Sequence, residues 1–556
     1  MVSVKKASLI LCFLLLVSQT PLIKAEEQPQ VVVEINPNLE LFAVVYILAF
    51  NGSDDFIIAP KNYIKDVLTY FAPYKEHPAV YLMRETFPRD LPWHLRDTSI
   101  RRWSDQLFRM RYLGNESDEL LSGLLKELVH FAKESDFIHF YKLHEGDYEQ
   151  AINQSKKALK PEYILKLDSL FNKSYQEYKV ELSYSLAIRE HAAILDNTAY
   201  YIGHAVHISS TPQANFYYAW IGIHEFTHTF VDPIIYKHAQ ELLSVDYYLK
   251  AAKNEWAYAT YDGHFYTNYG YIEENLVEAV ANYIILSDYP AFSKWRILQD
   301  AAVGYPLVGD FLVDIEKMNK TLDIYISQLP ERMRKLATPN NVTKYFWERT
   351  PITGFLALDR SYKMGEIIIV YGTQNPDRIG VEYDKQTAFQ LKKMLENSVA
   401  WGKYSIKPII TVKSDKELTK DDLKQNLILI GGPVANEIAK RISPALPLNF
   451  AFNEKRWEIK KNLSNIQEFY AFQFFNGSIA QISANSIVPY AYPLQIFEVI
   501  RNPWNRNNFI MVLAGIDRYC TRRIAREMLV EKPISYLIES GDYVESGFYI
   551  QFYLEG

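Results

Sequence analysis

The segment FYYAWIGIHEFTHTFVDP, residues 216–233, is the strongest indication of fold and function in the first half of this 556-residue chain. Its first eight residues are mostly apolar and aromatic, which predicts a helix buried in a core. His224, Glu225 and His228 follow as the motif HExxH. Residues four apart project from one face of a helix, so both imidazoles would reach one metal ion. Asp232-Pro233 predicts that the helix stops there, because the residue before proline disfavours helix.

A zinc ion bound by this motif needs a third protein ligand. The extended pattern HExxHxxGxxH is absent, because Val231 and Ile234 stand at its glycine and third histidine. The other common solution is a glutamate on a following helix. Residues 271–280 predict that helix, and they place Glu274 and Glu278 one turn apart.

Two roles are open for this pair of glutamates. One would bind zinc while the other orients a ligand histidine from behind. Glu273 is predicted to face solvent. His238 is a rival third ligand, although it lies beyond the predicted proline stop and would need a sharp reversal of the chain.

The motif glutamate, Glu225, supplies the chemistry of a hydrolase. It can accept a proton from metal-bound water and pass it to a leaving amine. The reaction also needs a donor for the developing oxyanion. The segment before Glu274 offers five candidates among which the sequence does not choose: Tyr261, His264, Tyr266, Tyr269 and Tyr271. Residues 200–208 alternate like a strand, and we expect this strand to be the sheet edge that pairs with an extended substrate.

Residues 30–340 resemble a known family. The resemblance rests on residues 36–49, YIKDVLTYFAPYKEHPAVYLMRE at 63–85, HEFTH followed by Val231-Asp232-Pro233, and the helix with Glu274, in that order. The family is a domain of unknown function in secreted prokaryotic proteins, regarded as gluzincin-like metallopeptidases. The resemblance implies His224, His228 and Glu274 as zinc ligands and Glu225 as general base. Members often carry a basic residue where this chain has Glu278.

Composition and the N-terminal residues indicate an exported globular protein. Hydrophobic residues make up 48% and the formal net charge is −6, without a basic cluster, which excludes an electrostatic nucleic-acid binder. Lys5, Lys6 and the apolar residues 7–17 predict a signal peptide cleaved after Ala25, since so short a stretch does not span a bilayer. No later segment predicts a membrane span. Sequons such as Asn51-Gly-Ser agree with export and with a glycoprotein.

The second half has a different character. All twelve histidines lie between His77 and His264, and a turn-forming cluster at 337–341 predicts a boundary. Buried runs alternate with amphipathic helices, which predicts a mostly parallel sheet covered by helices. The strands are predicted at 367–371, 408–412, 426–430 and 509–514, the helices at 387–395 and 521–529, and a β-hairpin at 469–475 and 478–482 around Asn476-Gly477.

NLILIGGPVANEIAKRI at 426–442 and FIMVLAGIDRYCTRRIAREML at 509–529 resemble a domain of archaeal surface-layer and related cell-envelope proteins, over roughly 364–530. That resemblance implies envelope attachment or assembly and no chemistry. Cys520 has no histidine in its own half to activate it, so we interpret it as a core thiol.

Together these observations predict three parts: a signal peptide at 1–25, an α+β, mainly helical gluzincin-like domain at 26–345, and an α/β accessory domain at 360–556. The predicted function is an exported zinc metallopeptidase, secreted or on the cell surface, acting on a peptide or protein substrate. Its accessory domain would contact the cell envelope or surface layer. The alternative is a non-catalytic surface-layer-associated protein with a structural zinc site.

Overall fold

The computed structural model describes residues 30–554 with interruptions. The undescribed positions inside that range are 116–120, 122, 206–211, 256–266, 291–292, 294–295, 298–299, 302–303, 350–360, 362–365, 398–408, 447, 453–456, 462–467, 474–486, 490–494, 516, 531–536 and 539–548. The predicted signal peptide therefore lies outside the described residues. Within them, no helix has both the length and the apolar character needed to span a bilayer.

The first region, residues 31–349, is mainly helical. Its helices are α1 (Pro37–Ala49), α2 (Lys61–Tyr70), α3 (Pro78–Thr86), α4 (Trp93–Leu107), α5 (Gly123–Glu134), α6 (Phe137–Leu143), α7 (Glu145–Ala158), α8 (Pro161–Phe171), α9 (Pro212–Lys237), α10 (Ala239–Leu242), α11 (Tyr247–Glu255), α12 (Asn268–Ile285), α13 (Val308–Lys317), α14 (Leu322–Ser327), α15 (Leu329–Leu336) and α16 (Val342–Arg349).

Local sequence explains where several of these helices begin and end. The Asn36 side chain accepts hydrogen bonds from the first amides of α1, and proline follows it at the first helical position. The apolar spacing over residues 164–178 predicts one helix, and this prediction is wrong. Helix α8 ends at Phe171 because Asn172 adopts a left-handed φ of 48°, and the chain then enters a strand at Glu177.

A four-stranded sheet crosses the helical region. Its strands are β1 (Val31–Ile35), β2 (Glu177–Ser183), β3 (His191–Leu195) and β4 (Thr198–His204), in the order β1-β2-β4-β3. The first three in that order run parallel, and β3 is antiparallel to β4. The prediction that β4 is an edge strand is wrong, because β2 and β3 pair with its two sides. The edge beside α9 is β3.

The second region is built on a six-stranded mixed sheet. The elements of this region are β5 (Glu366–Tyr371), α17 (Arg378–Glu396), β6 (Ile409–Ser414), β7 (Asn426–Ile430), α18 (Glu437–Ile442), β8 (Leu448–Phe452), β9 (Trp457–Lys461), β10 (Glu468–Gln473), β11 (Ile487–Pro489), β12 (Gln495–Arg501), β13 (Phe509–Gly515), α19 (Arg518–Val530), β14 (Leu537–Ile538) and β15 (Tyr549–Leu554). The strand order in the sheet is β14-β12-β13-β7-β5-β6. The strands from β13 to β6 pair in parallel, and β12 pairs antiparallel with both β13 and β14.

The predicted strands of this sheet are confirmed within a residue or two. The predicted β-hairpin is only partly inside the described residues: its first strand is β10, and its second, at 478–482, lies outside them. The strand that β10 pairs with is β15, in antiparallel register.

Buried apolar side chains form separate clusters in the two regions. One cluster runs from Val33 to Phe346 and includes residues of α9 and α12. Two others cover opposite faces of the six-stranded sheet, one with Leu391 and Ile524 and one with Ile438. The mainly helical character with mixed sheets is thus as predicted, whereas the division into domains at 345 and 360 stays a prediction.

Candidate metal centre

Helix α9 carries HExxH through the interior of the first region. It packs along α12 and against strands β3 and β4. Ile223, Phe226 and Phe230 on this helix are buried, as the apolar segment predicts. His224 and Glu225 are 8% and 5% exposed, so the motif lies in a low-dielectric environment and not on the surface.

The predicted end of α9 at Asp232 is wrong, since the helix continues through Pro233 to Lys237. A proline inside a helix leaves the carbonyl four residues earlier without its amide donor. Here that carbonyl belongs to Thr229, and the Tyr175 hydroxyl donates to its oxygen at 2.6 Å. A side chain from another element therefore replaces the lost hydrogen bond and allows the helix to pass the proline.

Three predicted ligands meet where α9 faces α12. His224 Nε2 and His228 Nε2 lie 3.2 Å apart. Glu274 Oε2 lies 3.8 Å from the first and 3.9 Å from the second. Their ligand atoms form a group of metal-binding size. Two ligand atoms of a tetrahedral zinc ion at about 2.1 Å are roughly 3.4 Å apart, so separations of 3.2 to 3.9 Å are of the right size.

The chemistry of this donor set also fits zinc, which favours imidazole nitrogen with a carboxylate. Burial lowers the pKa of His224 to about 3, so its imidazole is neutral and retains the lone pair that a ligand needs. Burial raises the pKa of Glu274, and a nearby cation would oppose that effect. The residues present therefore suit a zinc ion, and Glu274, the glutamate that the family resemblance implies, is the one whose carboxylate groups with both imidazoles.

The other ring nitrogen of His228 faces two carboxylates. Its Nδ1 lies 3.0 Å from Asp232 Oδ1 and 3.2 Å from Glu273 Oε1. Burial alone would lower the pKa of His228, but hydrogen bonds to these carboxylates outweigh it and raise the pKa. The prediction that Glu273 faces solvent is wrong, because its side chain is buried against His228. A carboxylate on the far nitrogen is the usual way to fix a ligand histidine.

Sequence reasoning missed that Asp232 and Glu273 contact the ring of His228 and hold its orientation. For Asp232 a signal existed, since it stands four residues after His228 on the same helix. These two acids and His228 Nδ1 form a second compact group. Two carboxylates and one imidazole are a poorer zinc set than the first group, which supplies two imidazoles.

Glu278 lies behind His224. Its Oε1 is 3.5 Å from His224 Nδ1, a buried nitrogen for which the described residues provide no hydrogen bond. Trp220 Nε1 donates to Glu278 Oε2 at 2.9 Å, and Arg296 donates to Oε1 at 2.6 Å. Burial raises the pKa of Glu278, but the charge of Arg296 outweighs it and lowers the pKa overall. Both oxygens of Glu278 are thus engaged, and this carboxylate stands behind His224 and outside the group of three ligand atoms.

The remaining predicted groups are more dispersed. His238 stands about 15 Å along the helix axis from His228 and belongs to neither group of metal-binding size. The Tyr271 hydroxyl donates to the Gly304 carbonyl at 2.7 Å, which commits it elsewhere. Tyr269 packs against Tyr236. Tyr261, His264 and Tyr266 lie outside the described residues.

Glu225 lies beside the ligand group and outside it. Its carboxyl is buried, and burial, with the charges of Glu190 and Glu274 adding to it, raises its pKa to about 8. The structure therefore brings the four residues of the predicted site together on α9 and α12, with His224 and Glu225 buried and His228 and Glu274 half-buried.

The chain matches a known protein family over most of its length. A family model described as S-layer like family, outer domain, matches residues 139–532. The match supports the predicted surface-layer resemblance of 364–530, and it extends upstream to include α9 and α12. A comparison with curated proteins finds no match for the chain.

Proposed function

The chain belongs to the S-layer like family, outer domain, and from that premise we propose that it is a surface-layer-associated protein whose helical region binds one zinc ion. His224, His228 and Glu274 would hold the ion. The observation that carries the proposal is the convergence of their three ligand atoms, with carboxylates placed behind both imidazoles. The family also supports a location at the cell surface.

Such an ion would join two helices that are distant in sequence. Both histidines come from α9 and the glutamate comes from α12, so zinc would fix the packing of these helices at the centre of the first region. Zinc that binds only the folded chain adds its binding free energy to the stability of the fold. A structural site in an envelope protein would use the metal in this way.

The test is metal analysis of the purified full-length chain after dialysis. We expect about one zinc per chain, removed by chelation, and loss of zinc in His224→Ala, His228→Ala and Glu274→Ala. A matched control is His130→Ala, a partly buried histidine of α5 with a carboxylate neighbour. A metal-free wild-type chain, or equal zinc in all of these variants, would exclude the site.

A second candidate function is peptide hydrolysis at the same centre, and Glu225 is the observation that favours it. A structural zinc site has no need of this glutamate. Structural sites usually have four protein ligands, whereas catalytic sites have three. Among the described residues three ligand atoms converge here. The second proposal is therefore a zinc-dependent metallopeptidase of the cell surface, a hydrolase with Glu225 as general base.

In this hydrolytic role the zinc ion would act as a Lewis acid and make water a stronger acid. Glu225 would hold the proton. A general base is most effective when its pKa is near the working pH; burial raises the pKa of Glu225, and a bound zinc ion would oppose that effect. Glu273 and Asp232 would keep the ring of His228 in place during the reaction.

The two candidate functions are separated by a peptide-library screen of the zinc-loaded chain together with Glu225→Gln. If the centre is hydrolytic, the amide should keep zinc and lower the rate by at least about 10²-fold, because it accepts no proton. If the zinc-loaded wild-type chain cleaves no peptide, the structural role of the zinc ion is the one that stands. Equal cleavage by Glu225→Gln and wild type would show that another group accepts the proton from water.

A further inference from the structure

A buried ionic chain extends from the candidate metal centre toward the segment that follows α12. Arg296 donates through Nη2 to Glu278 Oε1 at 2.6 Å, and the same nitrogen lies 3.1 Å from Asp300 Oδ1. The Arg296 guanidinium carbon also lies 3.9 Å from the centre of the Trp220 ring. The side chains of Glu278 and Asp300 are only 6% and 2% exposed.

These contacts fix the Arg296 guanidinium from three directions. Asp300, one turn further along, orients it, Trp220 limits its movement out of plane, and Glu278 accepts a hydrogen bond from it. A charged pair in a dry environment interacts strongly and holds a narrow range of geometries. The position of the Glu278 carboxylate is therefore set by Arg296, with Asp300 and Trp220 holding that arginine in place.

Glu278 Oε1 in turn lies 3.5 Å from the buried Nδ1 of His224. Its second oxygen is held by Trp220 Nε1, so the carboxylate has little freedom to turn away. Rotation of the His224 ring would carry Nε2 away from the other two ligand atoms. The geometry of the metal site thus depends on a carboxylate whose own position depends on Arg296.

We propose that Arg296 is a positioning residue of the metal centre, which acts on His224 through Glu278. The inference rests on the proposed zinc site. The competing role for Arg296 is purely structural, a link between two segments that would affect stability and leave the metal unchanged. A double-mutant cycle separates these roles, because residues that act in series have effects that do not add.

The experiment uses the full-length chain and measures two properties: the zinc dissociation constant by chelator competition, and the visible absorption spectrum of the Co²⁺-substituted protein. Glu278→Gln should weaken zinc binding by roughly 10- to 100-fold, and Arg296→Met by about 10-fold, the range for outer partners of metal ligands. The double variant should bind no more than about twofold more weakly than Glu278→Gln alone. The Co²⁺ spectrum should shift in each variant, since ligand geometry changes.

Arg332→Met is the matched control, because Arg332 forms a two-bond pair with Asp314 that involves neither α9 nor α12. Its zinc affinity should equal that of wild type. Arg296→Lys keeps the charge and replaces Arg296→Met if that variant does not fold. Its zinc affinity should be lower than that of wild type and, where Arg296→Met folds, higher than that of Arg296→Met.

Wild-type affinity in folded Arg296→Met or in Arg296→Lys would overturn the inference, as would additive effects in the double variant. Those results would leave the zinc site itself intact. A wild-type chain that binds no zinc would instead overturn the proposed function, and this inference with it.

Discussion

The helical region and the six-stranded sheet both bury polar side chains, but they use them differently. In the sheet region, buried amides serve the backbone: Asn436 Nδ2 donates to the carbonyls of Val370 and Ile430, and its Oδ1 accepts from the first amides of α18. In the helical region, buried and half-buried side chains of α9 and α12 face each other, with two imidazoles and five carboxylates, Glu225 among them, around one location.

This difference indicates where chemistry is available. A side chain whose hydrogen bonds are committed to backbone groups stabilises a turn or cap and has none left for a ligand. Imidazole nitrogens that face one another, with carboxylates behind them, are in the arrangement of metal ligands. Metal binding should therefore follow the helical region alone, and envelope contacts should follow the sheet.

The largest expected effect comes from separating the two regions. A fragment of residues 26–345 should keep about one zinc per chain and any hydrolytic activity, whereas a fragment of residues 360–556 should bind none. The second fragment, and not the first, should associate with cell-envelope fractions or assemble with itself. Metal analysis and sedimentation of both fragments check this.

Residues 346–363 could complete the first region, because Phe346 belongs to its core cluster, so several end points between 345 and 363 serve as controls. If every folded helical fragment lacks zinc while the full chain binds it, the two regions share the site, and the comparison between them fails.

A smaller effect should come from Asp384, a buried acid of the sheet region. Burial raises its pKa from an ordinary 3.8 to about 7, and Oδ1 has no hydrogen-bond partner among the described residues. The folded state therefore holds a proton that the unfolded state releases first. Stability that is present below pH 4 should be lost as the pH rises toward 7 and above.

Asp384→Asn should remove that loss and stabilise the sheet region at pH 8 by on the order of 2–4 kcal/mol. Urea unfolding of the full chain at pH 4.5 and pH 8 measures it, with Asp421→Asn, an 88% exposed carboxylate, as control. A variant with the same pH dependence as wild type would show that Asp384 is ionised in the fold.

The smallest effect concerns the proline in α9. Tyr175→Phe should lower the free energy of unfolding by about 1–3 kcal/mol, because the Thr229 carbonyl loses its donor and Pro233 has no amide to replace it. In a Pro233→Ala background the same change should cost about 0.5 kcal/mol, since an alanine amide restores the helical bond. Thermal unfolding of the four chains decides this, and equal costs in both backgrounds would contradict the explanation.

The sequence predicts much of the fold because its signals are local. Strands such as β5, β7 and β13 are continuous apolar runs, and HExxH predicts both the helix and the pair of ligands. The failures have long-range causes. Pro233 follows the local rule for a helix end, but Tyr175, far away in sequence, supplies the missing hydrogen bond.

The site shows the same division. Motif spacing predicts the helix with Glu274 and Glu278 but does not choose between them, and only the structure shows Glu274 beside both histidines and Glu273 buried. Helix α12 is enclosed on almost every side, so it lacks the polar face that would assign Glu273 to solvent. Arg296 belongs to no motif, and only the folded structure brings it to Glu278.

The most direct test of the central claim is an anomalous difference map at the zinc absorption edge from crystals of the full-length, zinc-loaded chain. The account predicts one peak, about 2.0–2.2 Å from His224 Nε2, His228 Nε2 and Glu274 Oε2. No zinc peak, or a peak held instead by His228 Nδ1, Asp232 and Glu273, would contradict it.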